Sequence, residues 1–578
     1  MAPKHFHSLG PTTLAWGTNP RPEGQDNLVA LDRIMARKPA EVVLGERPLE
    51  PRDVLAVARH QTPVRFTDNP EVLGRIAACY ERVMQDVADG VPVYGLNTGY
   101  GGQAGRVIVD GSEDARLWVA RAISEAIVAI DVSVGPPFDV DVVRAGMLLR
   151  INMLLSGASG IKLGDLDLLR RLLNLQLTPY VQQYGGLGAS GDLAHNARVV
   201  SVLRQLDGAQ VWNPDGRLMD AREALRAVGL EPLELDPKAG LGLCNGDNFS
   251  TGLAILLAAD AVRILLLAIV TSALTVEALR GSDRSVHPLL EAVRPHDGQR
   301  EAAGLVRHLL DGSRLAYQEM TGHQVRPPGE LVQDAYSLRG IAQYLAVGIE
   351  KTKAALTTLT VSANAVSDNP LWVPPDRITP GEPPWQWVSG ANFLAMHAAE
   401  AIDGLRKTLT QVVKLTDRHL ARLVNPHLSN GLPANLSEVT AISGCAFKGV
   451  QIQSGMFDVY STYLSFPITT LFGVHEEGNQ DITTHALTSG ILAAENLRVA
   501  RYALAQTLLA LAQAIDHRGG PDRLAPATRP VYEFVRERAE YAVSERPLHM
   551  NIERLYQAQV SGELASCLRD RVFAGLEA

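Results

Sequence analysis

The sequence predicts a mostly α-helical protein with a long central helical bundle, preceded by a loop-rich N-terminal region. Three observations carry this. Of 578 residues, 46% are hydrophobic but only 5% aromatic, the balance of an Ala/Leu-rich helical globule. The segments "FSTGLAILLAADAVRILLLAIVTSALTVEALRG" and "LTSGILAAENLRVARYALAQTLLALAQAID" are apolar on nearly every side, as helices buried in a bundle or at a subunit interface are. Glycine-rich loops crowd the first half instead, most conspicuously "YGLNTGYGGQAGR" and "QQYGGLGASGDL".

Taken in order, residues 1–45 are rich in Pro, Gly and Asn without sustained periodicity, and are expected to form an N-terminal arm. "AEVVLGERPLEPRDVLAVAR" reads as a short strand, a turn and a helix with Asp53 in its first turn. It opens an N-terminal domain over 46–248, in which helical patterns alternate with the glycine loops. The bundle is expected over 249–520, interrupted by the proline-rich loop "VPPDRITPGEPPWQW" and closed by "HRGGPDRLAP"; 521–578 form a C-terminal helical segment.

Bulk chemistry narrows the partners. The formal charge of −9 is scattered, with no Lys/Arg tract to neutralise a run of phosphates, so no nucleic-acid partner is expected. The N-terminus lacks the apolar stretch of a signal peptide. The longest apolar run, Ile264 to Val276, has 13 residues, short of the ~20 that span a bilayer. No membrane partner is expected, and a cytoplasmic location is. Cys79, Cys244, Cys445 and Cys567 lie far apart without a C-x-x-C pair, against a zinc ribbon or a disulfide framework and in keeping with a reducing compartment.

"GGLGASGDL" (185–193) places Gly186, Gly188 and Gly191 at the spacing of a dinucleotide loop. Its flanks argue otherwise: "LNLQLTPYVQQYG" is a poor buried strand, and "DLAHNARVVSVLRQL" runs on as a helix. A second reading is a tight turn capped by Ser190 or Asp192. A third is chemical. The small Ala189-Ser190-Gly191 tripeptide lets the Gly191 nitrogen reach the Ala189 carbonyl. Ring closure, with loss of water from the ring and from Ser190, leaves an exocyclic methylene on an imidazolone, an electrophile that no side chain provides.

"GASGDLA" resembles the cofactor-forming motif of the aromatic amino acid lyase family, the histidine, phenylalanine and tyrosine ammonia-lyases and their 2,3-aminomutase relatives. Further motifs follow in that family's order: "VYGLNTGYG", "GLGLCNGDN", "VQDAYSLR", "SDNPL", "SGANF", "FKG" and "NQD". The resemblance implies the ammonia-lyase (fumarase-like) fold, with the cofactor in the N-terminal region. That cofactor is 4-methylideneimidazole-5-one (MIO), formed autocatalytically from Ala189, Ser190 and Gly191, without metal or nucleotide.

The reaction implied is removal of ammonia from an aromatic L-amino acid to give an aryl acrylate, which requires taking a poorly acidic β-proton and expelling a poor leaving group. By resemblance, Tyr94 is the base; its pKa near 10 requires help from dipoles or positive charge. Asn245 and Gln333 hydrogen-bond MIO and substrate, Tyr336 positions the amine, and Phe393 borders MIO. Arg339 suits the substrate carboxylate through its planar fork. Leu241, Lys448, Ile452 and Gln480 complete the binding set, Gln480 standing where histidine lyases tend to carry glutamate. A homotetramer with each site shared between subunits is implied, and the nearly all-round apolar helices agree.

Departures from the pattern lie behind the tripeptide. "GDLAHNARV" places His195, Asn196 and Arg198 in the next turn, and Asp247 replaces the usual Thr. At the side-chain selector, "RAISEAIV" aligns Ser124 and Glu125. Glu125 facing the ring favours a polar or basic ring substituent, because an unpaired buried carboxylate is costly; an alignment slipped by one residue turns it to solvent. Two rivals share the scaffold: a 2,3-aminomutase that returns ammonia to Cβ, and a non-catalytic helical assembly.

Overall fold

The computed structural model describes residues 27–576 except 329, 382, 384, 385, 439–441 and 472. Helix α1 (Leu28–Met35) begins at Asn27, whose side chain accepts from the Ala30 N–H at 2.7 Å. It buries Leu28, Val29, Leu31 and Met35, and its Asp32 pairs with Arg263 at 3.1 Å and Arg569 at 2.9 Å. The arm expected over 1–45 is therefore corrected for 27–45, which is packed structure; residues 1–26 lie outside the described residues. Two helical turns are too short for periodicity to declare them, and the helix is held by tertiary burial.

Strand β1 (Val42–Leu44) pairs in parallel with β2 (Val64–Phe66) around the helix Pro51–His60, where the Asp53 carboxylate accepts the Glu50 N–H at 2.9 Å. This is the strand, turn and helix read from the sequence. The loop after Val93 leads into α2 (Glu113–Ala126), which Ser112 caps. Next come β3 (Val134–Pro137) and α3 (Val140–Leu154), then β4 (Thr178–Pro179) and β5 (Gln182–Tyr184). β3 and β5 pair antiparallel, Val134 opposite Tyr184, and hand the chain directly to "GGLGASGD". Helix α4 (Leu193–Leu203) follows it, and α5 (Ala239–Cys244) delivers Asn245 and Gly246 opposite that loop.

The bundle centres on α6 (Asn248–Ala278), in which every residue except Arg263 is buried. By length and composition alone this helix could cross a bilayer, but its apolar surface is covered by helices of the same chain. These are α3, α7 (Asp297–Leu310), α8 (Ile341–Ala363), α9 (Met396–Leu423) and, beyond α10 (Lys448–Leu464), α11 (Ala486–His517). A helix apolar all round has no face to offer water, which is why α6 occupies the centre. Truncating one of its leucines, such as the buried Leu265, costs about 2–5 kcal/mol. The remaining sheets have only two or three short strands each, so the described chain is mostly helical, as the composition predicts.

Candidate active site

The site is built where three segments meet, two of them pinching the Ala189-Ser190-Gly191 loop. Gly188 and Gly191 have φ of +72° and +68°, a region open to glycine at little cost. A Cβ at Gly191 would collide with the Gly246 carbonyl, and one at Gly188 with Thr484 Oγ1. Gly191 bridges Gly246 in parallel, the Asp192 N–H donating to the Gly246 carbonyl at 2.8 Å. That bond leaves the Gly191 nitrogen, the one ring closure needs, outside the ladder. From the third segment, the His485 N–H donates to the Leu187 carbonyl at 2.8 Å and Thr484 Oγ1 to the Gly188 carbonyl at 3.1 Å. Gln480 Nε2 donates to Ser190 Oγ at 3.2 Å. Ala189 is buried and Ser190 half-buried, so a crowded backbone presents one hydroxyl outward. This crowding, with room only for glycine, fits MIO formation.

Asn245 ends α5, and its Nδ2 donates to Asp368 Oδ1 at 3.0 Å. Leu241, one turn earlier and buried, packs on Gly95 of the tyrosine loop. The Tyr94 hydroxyl accepts the Gly101 N–H at 2.9 Å, and its ring meets Tyr100 edge-on at 6.3 Å. Tyr100 donates to the Ile123 carbonyl at 2.9 Å, anchoring the loop to α2. Burial raises the Tyr94 pKa, the Gly101 N–H pulls it back, and nearby Glu476 raises it further. The assistance expected for this base is thus present as one backbone dipole, and within a single chain burial outweighs it.

Glu476 is a site neighbour that sequence reasoning missed. Its carboxylate occupies the space a Cβ on Gly101 would need, and Asn479 Nδ2 donates to its Oε2 at 2.9 Å. The signal available was the doublet Glu476-Glu477, one glycine before "NQD".

The four departures resolve into packing. His195 is fully buried between Phe138 and Phe249, at ring distances of 5.6 and 5.9 Å, and its Nε2–H donates to the Gln183 carbonyl at 3.1 Å. Burial pulls its pKa down to about 4, so it is a neutral ring near pH 7. Asn196 and Asn248 exchange amide hydrogen bonds at 2.8 Å each way, tying α4 to α6, and Arg198 pairs with Asp131 at 2.7 Å. Asp247 is buried, and burial pushes it up to about 6. Asp192 accepts from Ser250 N and Oγ at 2.8 and 2.6 Å, and burial pushes it up to about 7.

The placement of the selector pair in the pocket is corrected. Ser124 is fully buried and its hydroxyl accepts the Gly240 N–H at 2.7 Å, joining α2 to α5. The Glu125 side chain, 51% exposed, lies 3.6 Å from the Arg204 guanidinium. Arg204 caps the C-terminus of α4, roughly 16 Å along the helix from the tripeptide at 1.5 Å per residue. Successive helical residues differ by about 100° in direction, so packing Ser124 inward on α5 sends Glu125 elsewhere.

The structure does not bring the rest of the expected set to the tripeptide. Gln333 and Tyr336 are exposed, Tyr336 at 80%, with the Arg339 guanidinium 4.4 Å over the Tyr336 ring. Arg339 Nε is buried and, among the described residues, has no hydrogen-bond partner. Lys448 and Ile452 lie one turn apart on the open face of α10, and Phe393 is half-buried ahead of α9. Among the described residues, no hydrogen bond, ion pair or ring contact joins these six to Tyr94, Ser190 or Asn245.

A family model described as aromatic amino acid lyase matches residues 49–537. The chain is 35% identical to a histidine ammonia-lyase of Symbiobacterium thermophilum over 89% of this chain and 96% of that protein. It is 33% identical to a phenylalanine ammonia-lyase of Nostoc punctiforme over 82% of each. The X-ray structure of tyrosine aminomutase from Streptomyces globisporus superposes with a TM-score of 0.83 at 29% identity, covering 93% of this chain and all of that one.

Proposed function

Because this chain belongs to the aromatic amino acid lyase family, we propose that it is an MIO-dependent ammonia-lyase releasing ammonia from an aromatic L-amino acid of the phenylalanine or tyrosine type to give an aryl acrylate. The observation that carries this is the pinched Ala189-Ser190-Gly191 loop, on which Gln480 donates to Ser190 and Gly246, next to Asn245, bridges Gly191, with the Tyr94 loop joined to the Gln480 segment where Gly101 meets Glu476. Once formed, MIO supplies the electrophile that turns the substrate amine into a leaving group.

The chain's own residues do the rest. Tyr94, steadied by the Gly101 N–H, takes the β-proton. Asn245 hydrogen-bonds the reacting amine and MIO, and Gln333, brought like Tyr336 by a neighbouring copy, shares that role. Arg339 holds the substrate carboxylate, fixing the angle at which the β-proton meets Tyr94. Leu241, Phe393 and Ile452 wall the aromatic ring and exclude water. Tyr336 steers the amine, and Lys448 and Gln480 fix the polar edge.

Exposed Tyr336, Ile452 and Lys448 support a homotetramer in which a neighbouring copy brings these side chains to each tripeptide. A cytoplasmic location fits four cysteines that are all free thiols. With Glu125 engaged by Arg204, a preference for a polar ring substituent loses its basis.

Intact-protein mass spectrometry and a panel of Phe, Tyr and His, assayed for acrylate absorbance, test the reading. A mass short by two waters and turnover of Phe or Tyr are expected. An unmodified mass overturns it, and a β-amino acid as main product makes the protein an aminomutase, a reading compatible with the fold it shares with tyrosine aminomutase.

A further inference from the structure

The motif "SDNPL" (367–371) forms a strap across the turn that carries Asn245. The strap's Asp368 is fully buried, with Oδ2 accepting Lys238 Nζ at 3.0 Å and Oδ1 accepting Asn245 Nδ2 at 3.0 Å. Lys238 is equally buried and sits at the N-cap of α5 in a left-handed conformation, φ +69°. A lysine there accepts backbone strain as well as desolvation, and among the described residues its ammonium pairs with the Asp368 carboxylate alone. On either side of Asp368, the Asn369 carbonyl lies 3.4 Å from Asn245 Nδ2, and Ser367 hydrogen-bonds the Asp247 carboxylate. The whole 245–247 turn is therefore gripped through its side chains by 367–369.

We propose that Asp368 is a positioning residue for the lyase reaction: held by Lys238, its carboxylate fixes and polarises the side-chain amide of Asn245. The inference rests on the function proposed above. A neutral partner could hold the same geometry, but an anion accepting the amide N–H draws electron density onto the amide oxygen and makes it a stronger acceptor for the substrate amine. Lys238 keeps that anion from standing unpaired in the core.

Removing Asp368 alone leaves a buried ammonium and endangers folding, so the test uses the double variant Lys238→Met/Asp368→Asn, which removes both charges and retains an acceptor for Asn245. Wild type, the double variant, Asn245→Ala and the triple variant are compared by intact mass, melting temperature and kcat and KM on the substrate that wild type turns over. The double variant is expected to keep the mass deficit and to lose kcat by about tenfold or more with KM changed by less than about threefold. In the Asn245→Ala background the same pair of changes should cost less than about twofold, because the effect runs through that amide. An equal loss in both backgrounds, or an unchanged kcat, overturns the proposal while leaving the lyase reading intact. A wild-type protein lacking both the deficit and turnover overturns both.

Discussion

The Glu125 carboxylate lies 3.6 Å from the Arg204 guanidinium, at the end of α4 remote from Ser190. An ion pair this exposed contributes about 0–1 kcal/mol. Glu125→Leu and Glu125→His should therefore leave the ranking of Phe, Tyr and His unchanged on the substrate panel, with little change in melting temperature. A switch in ranking would return Glu125 to the pocket.

Gly191 and Gly246 touch backbone to backbone. Ser190→Ala should remove the two-water mass deficit and the activity while leaving the melt near wild type, since Ser190 is only half-buried. Gly191→Ala should remove both and lower the melting temperature, because the added Cβ meets the Gly246 carbonyl at a positive φ. Mass spectra and thermal melts of the two variants separate loss of the hydroxyl from loss of the backbone fit.

Tyr94→Phe should lower kcat by about 10²–10⁴, the usual worth of a general base, with the mass deficit retained. Gly101→Ala attacks the same base indirectly. Its Cβ would displace the Glu476 carboxylate and, with it, the loop whose N–H reaches Tyr94. Its kcat should also fall; wild-type turnover in Gly101→Ala would detach that N–H from the mechanism.

Glu277 is fully buried on α6 and accepts from Thr528 Oγ1, the Ala525 N–H and Ser313 Oγ at 2.7, 2.8 and 2.7 Å. Burial pushes its pKa from 4.5 up to about 7, against the pull of those hydrogen bonds. The folded state then binds its proton more tightly than the unfolded chain does. The resulting stability, of order 3 kcal/mol at 1.36 kcal/mol per pKa unit, is complete below about pH 4.5 and is lost as pH rises through about 7. Melting temperatures from pH 5 to 8 should fall more steeply in wild type than in Glu277→Gln. Parallel slopes would show that Glu277 carries none of the dependence.

The Ala189-Ser190-Gly191 loop was legible in the sequence because its requirements are local. Small residues at 188, 189 and 191 state the close backbone approach that the structure contains. Side-chain direction was not. Ser124 and Glu125 are adjacent letters, and only the packing of α2 on α5 shows that Ser124 is spent on the Gly240 N–H. Nor was Asp368, since a Lys, an Asn and an Asp separated by up to 130 residues share no periodicity that could mark them as partners.

By itself, then, the sequence determined the helical class, the bundle of all-round apolar helices and the small-residue loop on which the proposed chemistry rests. These depend on composition, on a period of 3.6 residues and on backbone sterics, all written within a few turns of chain. Only the tertiary structure decided which carboxylates face the site, that His195 is a neutral core ring and that α1 is part of the core. Burial and pairing belong to neighbours brought in from far along the chain, and a charge has no pKa or direction until those neighbours are in place.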